Sequence, residues 1–76
     1  MEKYLIQYQT KVNGDYVTLY HESIIINTIK DSMNAYVESL TTDIKLARVF
    51  YEWEEAVKVA QLFDSLQYEQ TIIKKI

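Results

Sequence analysis

Residues 4–20 read YLIQYQTKVNGDYVTLY, and this stretch determines how the fold begins. The pair Asn13-Gly14 is the preferred dipeptide of a type I′ turn, because both central residues of that turn need a positive φ. A two-residue turn fixes the register of the flanking strands and places Val12 opposite Asp15. The sequence therefore predicts an antiparallel β-hairpin at this position.

The hydrophobic pattern of the hairpin agrees with the register of its turn. Side chains alternate between the two faces of a strand, and a slip of one residue would exchange the faces. One face is mainly apolar and is expected to pack in the core, with His21 falling opposite Ile6 at its end: Tyr4, Ile6, Tyr8, Val12, Val17 and Leu19. The other face is mixed and is expected to point away from the core: Leu5, Gln7, Gln9, Lys11, Tyr16, Thr18 and Tyr20.

The region 23–40 allows two interpretations. Residues 24–29 are β-branched apart from Asn27 and favour a strand, residues 31–34 are turn-like, and residues 35–40 favour a returning strand. A helix is the alternative, because apolar side chains recur at near-helical spacing at Ile25, Ile29, Met33, Tyr36 and Leu40. Strands are preferred, since three consecutive isoleucines are poor helix formers.

The second half of the chain predicts the main helix and a last strand. Residues 41–43 favour the start of a short helical turn that continues through 44–47. The main helix follows, and three carboxylates in its first turn oppose the positive end of the helix dipole: Glu52, Glu54 and Glu55. Its apolar stripe comprises Trp53, Ala56, Val57, Ala60 and Phe63, widened by Val59, Leu62 and Leu66, near which the helix should end.

Residues 70–76 predict a C-terminal strand that must join the existing sheet to satisfy its backbone. The predicted fold class is therefore α+β: a small antiparallel sheet opened by the Asn-Gly hairpin, with one main amphipathic helix packed on one face and a C-terminal strand. The absence of proline and the single glycine leave no linker, so residues 1–76 are expected to form a single domain.

Composition limits the kinds of site that the chain can build. There is no cysteine, which excludes disulfides and thiolate metal sites, and the single His21 argues against a histidine metal site. We expect no metal and no cofactor. A domain of this size has a small core and often depends on a partner chain, so a homodimer is expected.

Charge and hydropathy limit the partners. The net charge is −3, from eleven acidic and eight basic residues, which argues against binding to a phosphate backbone. No stretch approaches the roughly 20 apolar residues of a membrane span. The first residues enter a strand pattern without the features of a signal peptide, so the expected location is the cytoplasm.

Candidate catalytic residues do not form a recognisable arrangement. Glu52 and Glu54 are two positions apart and point in different directions on a helix, whereas Glu52 and Glu55 could meet but have no histidine or second acidic motif beside them. His21 has no partner that the sequence identifies, and the lone glycine excludes glycine-rich phosphate-binding loops. We expect a protein that is not an enzyme, with no catalytic, cofactor-binding or metal-binding residues.

Seven tyrosines are the unusual feature of the composition. Tyr16 and Tyr20 fall on the outward face, where they can form cross-strand pairs, a protein interface or a stacking surface for unpaired bases. Only Lys11 interleaves with them, which disfavours nucleic acid. The candidate interface comprises Leu5, Gln7, Gln9, Tyr16 and Tyr20.

Residues 42–50, TDIKLARVF, and 53–60, WEEAVKVA, resemble short uncharacterised proteins of phages and prophages of Gram-positive bacteria. Those proteins open with a hairpin and continue through a D-x-x-x-A-x-x-F stretch into an E-E-A-x-x-x-A helix and a last strand. The matching residues are Asp43, Ala47, Phe50, Glu54, Glu55, Ala56 and Ala60. The resemblance covers the chain from Thr42 on, plus the hairpin. It implies the same fold and a phage origin, and small phage proteins often bind and inhibit a host protein.

The expected function is that of a non-enzymatic phage or prophage accessory protein. It is expected to act in the host bacterial cytoplasm by protein–protein contact, as a homodimer and as an inhibitor of a host or defence protein. The alternative is a single-stranded nucleic-acid-binding module that uses the tyrosine face.

Overall fold

The structure, a computed structural model, describes residues 1–29, 33–63 and 68–76. Its elements are β1 (Tyr4–Val12), β2 (Asp15–Ile29), β3 (Met33–Thr41), a single 3₁₀ turn (Ile44–Leu46), α1 (Trp53–Leu62) and β4 (Gln70–Lys75). The strands form one antiparallel sheet in the order β3-β2-β1-β4. The predicted α+β class, with a C-terminal strand and one helix against the sheet, is confirmed.

The hairpin has the predicted turn and register. Asn13 and Gly14 have φ values of 52° and 88°, as a type I′ turn requires. Val12 pairs with Asp15, and the β1–β2 ladder continues from there to the pair Gln7 and Tyr20. The predicted register of this ladder is confirmed, whereas Val12, which was expected on the core face, is 50% exposed beside the turn.

The ladder does not extend to the predicted pair of Ile6 and His21, because another segment lies between the strands at that end. The Arg48 N–H donates to the His21 carbonyl at 2.9 Å. Phe50 and Tyr4 exchange two backbone hydrogen bonds of 2.8 Å each. The segment that precedes α1 is thereby fixed to both β1 and β2.

The core lies between α1 and the centre of the sheet. Ile6 and Tyr8 of β1 pack with Phe50 and with the two helix alanines, Ala56 and Ala60. The alanines lie four residues apart on one side of the helix, so the backbone of the helix comes close to the sheet. The partly buried residues around this cluster are Tyr4, Leu19, Leu40, Val59, Tyr68 and Ile73.

The helix differs from its prediction at both ends. It ends at Leu62 rather than near Leu66, which lies outside the described residues. Trp53 is 53% exposed, because a helical side chain leans toward the N-terminus and that of the first residue extends past the helix. Leu62 is also exposed, since it lies about 120° around the axis from Ala56.

Residues 23–29 and 33–40 form strands, as preferred, and the helical alternative is wrong. β2 continues through Ile29 and pairs with β3, with one irregularity between His21 and Ser23. The predicted turn over 31–34 is too long, because Met33 and Asn34 already pair with β2. Residues 31 and 32 lie outside the described part of the chain.

Candidate functional site

The outer face of the sheet, defined as the side opposite α1, is the site that the sequence predicted. Tyr16 is 60% exposed, whereas Gln7, Gln9 and Tyr20 are partly exposed. Leu5 is only 1% exposed and offers a partner no contact area. Leu5 therefore leaves the predicted set, and the structure keeps the other four residues at the surface. Leu5 directly follows Tyr4, whose backbone is hydrogen-bonded to Phe50 of the 48–50 segment.

Strand β4 adds residues to the outer face that the sequence analysis did not include. The β1–β4 register places Ile72 beside Gln7, Gln70 beside Gln9 and Lys74 beside Leu5. No tight turn joins these strands, so their register was not readable from local sequence. Once β1 is known to be the pairing partner, the alternation within residues 70–75 indicates which of these side chains share the outer face.

The outer face carries cations at its two ends. Lys11 Nζ lies 5.3 Å from the centre of the Tyr16 ring, a cation–π distance. Lys74 pairs with Leu5, and Leu5 is six residues from Lys11 along β1. The two lysines are therefore about 20 Å apart along the strand direction. The ladder residues of this face between the two lysines are uncharged: Gln7, Gln9, Thr18, Tyr20, Gln70 and Ile72.

A second cluster is a buried polar network on the α1 side of the sheet, formed by Tyr8, His21 and Glu38. The Tyr8 hydroxyl donates to Glu38 Oε2 at 2.5 Å. The same oxygen lies 2.6 Å from His21 Nδ1, and the two side chains are 0% and 6% exposed. Because the three residues belong to β1, β2 and β3, the network links three strands at one point.

The chemistry of the carboxylate fixes the roles of the atoms around it. A carboxylate only accepts hydrogen bonds, so the proton of the contact lies on His21 Nδ1. His21 Nε2 is buried and has no hydrogen-bond partner among the described residues. His21 therefore has the positioned partner that the sequence could not identify, and its full burial keeps the ring from any dissolved substrate in this conformation.

Aromatic rings enclose the network. Tyr8 and Tyr68 stack with centroids 4.3 Å apart. The ring of His21 lies 5.8 Å from Phe50 and 6.2 Å from Phe63. Burial raises the pKa of the Tyr68 phenol, and the nearby charge of Glu38 raises that pKa further.

The acidic residues at the start of α1 oppose the positive end of the helix dipole, as the sequence suggested. Glu54 and Glu55 lie in the first turn of the helix, whereas Glu52, predicted in the same turn, is the N-cap residue. Glu55 also pairs with Arg48 at 3.1 Å on the surface, where such pairs contribute little to stability. Within the described ranges, no group of three or more His, Cys, Asp and Glu side chains is placed to hold a metal ion.

A search for candidate membrane spans finds no helix of sufficient length and hydropathy in the described part of the chain. No protein-family model matches this chain, and no curated protein or solved structure matches it.

Proposed function

We propose that this protein acts by binding another protein through its outer face and performs no catalysis. The observation that carries the proposal is Tyr16, a large aromatic side chain that is 60% exposed on strand β2. Tyrosine is enriched at the energetic centres of protein interfaces, because its ring buries a large area at a small cost in side-chain entropy.

The surroundings of Tyr16 support a protein partner. Gln7, Gln9 and Ile72 share its face and can make amide hydrogen bonds and apolar contacts. The centre of a protein interface is poor in charge, and the middle of this face holds no charged residue. The resemblance to small phage proteins favours a host protein as the partner, in the bacterial cytoplasm.

The double variant Tyr16→Ala/Tyr20→Ala tests the binding surface. If the two rings are the energetic centre of the interface, we expect a loss of at least about 2 kcal/mol, or about 30-fold in affinity. The partner is first captured from a bacterial lysate with the wild-type chain and identified. Its affinity for each purified variant is then measured by titration.

The matched control is Tyr51→Ala, which removes a comparably exposed tyrosine that lies outside the strands, just before α1. It should bind as the wild type does. Circular dichroism must show that the double variant is folded. A folded double variant with wild-type affinity would exclude the outer face as the binding surface.

A single-stranded nucleic acid is the second candidate ligand, and the position of Lys74 favours it. With Lys74 added by β4, two cations rather than one flank Tyr16 and Tyr20 on this face. Such proteins combine basic grooves with aromatic rings on which bases stack. The net charge of −3 and the absence of a larger basic cluster keep protein binding as the leading proposal.

Salt dependence separates the two ligands. If Lys11 and Lys74 each contact one phosphate, raising the salt from 50 to 200 mM should weaken oligonucleotide binding about sevenfold. Fluorescence anisotropy with a labelled single-stranded oligonucleotide measures this change. The double variant Lys11→Gln/Lys74→Gln should bind more weakly and lose most of the salt dependence. Absence of binding at 50 mM salt would eliminate the nucleic-acid candidate.

A further inference from the structure

Strand β3 is an edge of the sheet that lacks the usual protection against pairing. An edge strand exposes unpaired N–H and C=O groups, which natural proteins shield with charges, proline, bulges or short length. β3 is nine residues long and contains no proline. Its one charged residue, Glu38, turns its carboxylate inward to Tyr8 and His21. The irregularity at residue 22 lies in β2, so the outer edge of β3 has no bulge.

The opposite edge, β4, has such protection. It is six residues long and ends in Lys74 and Lys75. Both lysines are exposed, and Lys75 pairs with Glu2 at 2.7 Å. Another strand that paired with β4 would have to accommodate these two cations. A strand that paired with β3 would meet no lysine.

The outer part of β3 belongs to a two-stranded ribbon, defined here as residues 23–29 and 33–39. The β1–β2 ladder ends at Tyr20, while the β2–β3 ladder continues to the pair Ile29 and Met33. Among the described residues, the ribbon therefore has no third strand. Isolated two-stranded ribbons are marginally stable in water. Apolar side chains of this ribbon are exposed by 43–53%: Ile25, Tyr36 and Val37.

We propose that β3 pairs antiparallel with β3 of a second copy of this chain, about a twofold axis at Val37. The two sheets would join into one eight-stranded sheet, and each ribbon would gain a neighbour. This inference goes beyond the proposed function, because it gives the homodimer expected from the sequence a contact site at the β3 edge and leaves the outer-face tyrosines to the other partner.

Charge supports a second copy as the occupant. A twofold axis at Val37 sets Val37 opposite Val37 of the other copy and Tyr36 opposite Glu38. The only charged residue of the strand thus faces an aromatic ring and not a like charge, which would be destabilising. Each copy also supplies an edge of equal length without exposed charge.

Isotope-filtered NMR of a mixture of labelled and unlabelled wild-type chain tests the pairing without any substitution. We expect contacts between chains within residues 35–39, centred on Val37. Light scattering should show a mass that rises with concentration toward twice the 9.0 kDa of one chain. A single-chain mass at every concentration, or a dimer whose contacts between chains lie outside β3, would overturn the proposal.

The variant Val37→Lys places two cations against each other at the axis and should weaken the dimer about tenfold or more. The control is Ile25→Lys, which carries the same change on the same face, one strand further from the edge. It should dimerise more tightly than Val37→Lys, since its ammonium group lies off the axis. Equal dimerisation of wild type and folded Val37→Lys would contradict edge pairing.

The two proposals can fail separately. A monomer that binds a host protein through Tyr16 and Tyr20 would overturn edge pairing and uphold the proposed function. A β3–β3 dimer whose double tyrosine variant keeps full partner affinity would uphold edge pairing and overturn the outer-face proposal.

Discussion

Replacing Phe50 with alanine is expected to lower the free energy of unfolding by about 3–5 kcal/mol. Phe50 is 1% exposed and packs with Ile6, Tyr8 and both helix alanines. Its ring also lies 4.5 Å from the Arg48 guanidinium, so the substitution removes a cation–π contact as well. A domain of 76 residues has about 4–11 kcal/mol in total, so the variant should be close to unfolding in water.

Urea denaturation followed by circular dichroism measures this loss. The matched control is Tyr51→Ala, which removes a similar ring from the next residue, where it is mainly exposed. We expect the control to change the free energy of unfolding by less than about 1 kcal/mol. If the two variants were equally stable, Phe50 would not connect the 48–50 segment to the core.

The elements that local chemistry specifies were predictable. The Asn13-Gly14 turn fixed the β1–β2 register, because only a few turn types join two strands through two residues. Helix α1 was identifiable by its acidic first turn and its alanines. The predicted apolar stripe is wider than the buried side of the helix, which comprises Ala56 and Ala60. A helix against a sheet this small buries a narrow line of side chains, which Ala56 and Ala60 occupy.

The features that depend on long-range pairing were not predictable. The position of Lys74 on the outer face follows from the β1–β4 register, which no local motif sets. Leu5 is buried although the alternation along β1 predicted it on the outward face. The partner of His21 is 17 residues away, and the irregularity at residue 22 shifts the pairing between them. The alternation of side chains along the strands does not by itself predict that Glu38 lies beside His21.

The buried network gives the ribbon its attachment to the rest of the sheet. Glu38 lies on β3, beyond the last residue of β2 that pairs with β1. Through Tyr8 and His21, its carboxylate bonds the base of the ribbon to β1 and β2. The network thus has a structural role for the proposed β3 edge, because it removes the only charge of β3 from the surface.

Replacing Glu38 with alanine is therefore expected to cost about 3 kcal/mol of unfolding free energy. The change removes Glu38 as the acceptor of the buried His21 Nδ1–H and as one partner of the Tyr8 hydroxyl, and leaving a buried donor unsatisfied costs about 1–3 kcal/mol. Tyr8→Phe removes one donor and leaves the His21 contact, so it should cost less than Glu38→Ala. Urea denaturation measures both variants, and the double variant gives their coupling energy.

The control is Glu22→Ala, a strand glutamate with a partly exposed side chain that accepts a longer bond of 3.4 Å from Ser39 Oγ. It should cost less than about 1 kcal/mol. In the wild type, ¹⁵N NMR of His21 should show a proton on Nδ1 held by Glu38, and Glu38→Ala should abolish that signal. A Glu38→Ala variant as stable as Glu22→Ala would mean that the ribbon is held to the sheet by backbone pairing alone. Coupling near zero between Tyr8 and Glu38 would show that the hydroxyl contributes independently, since residues that share one buried hydrogen bond normally couple by about 0.5–3 kcal/mol.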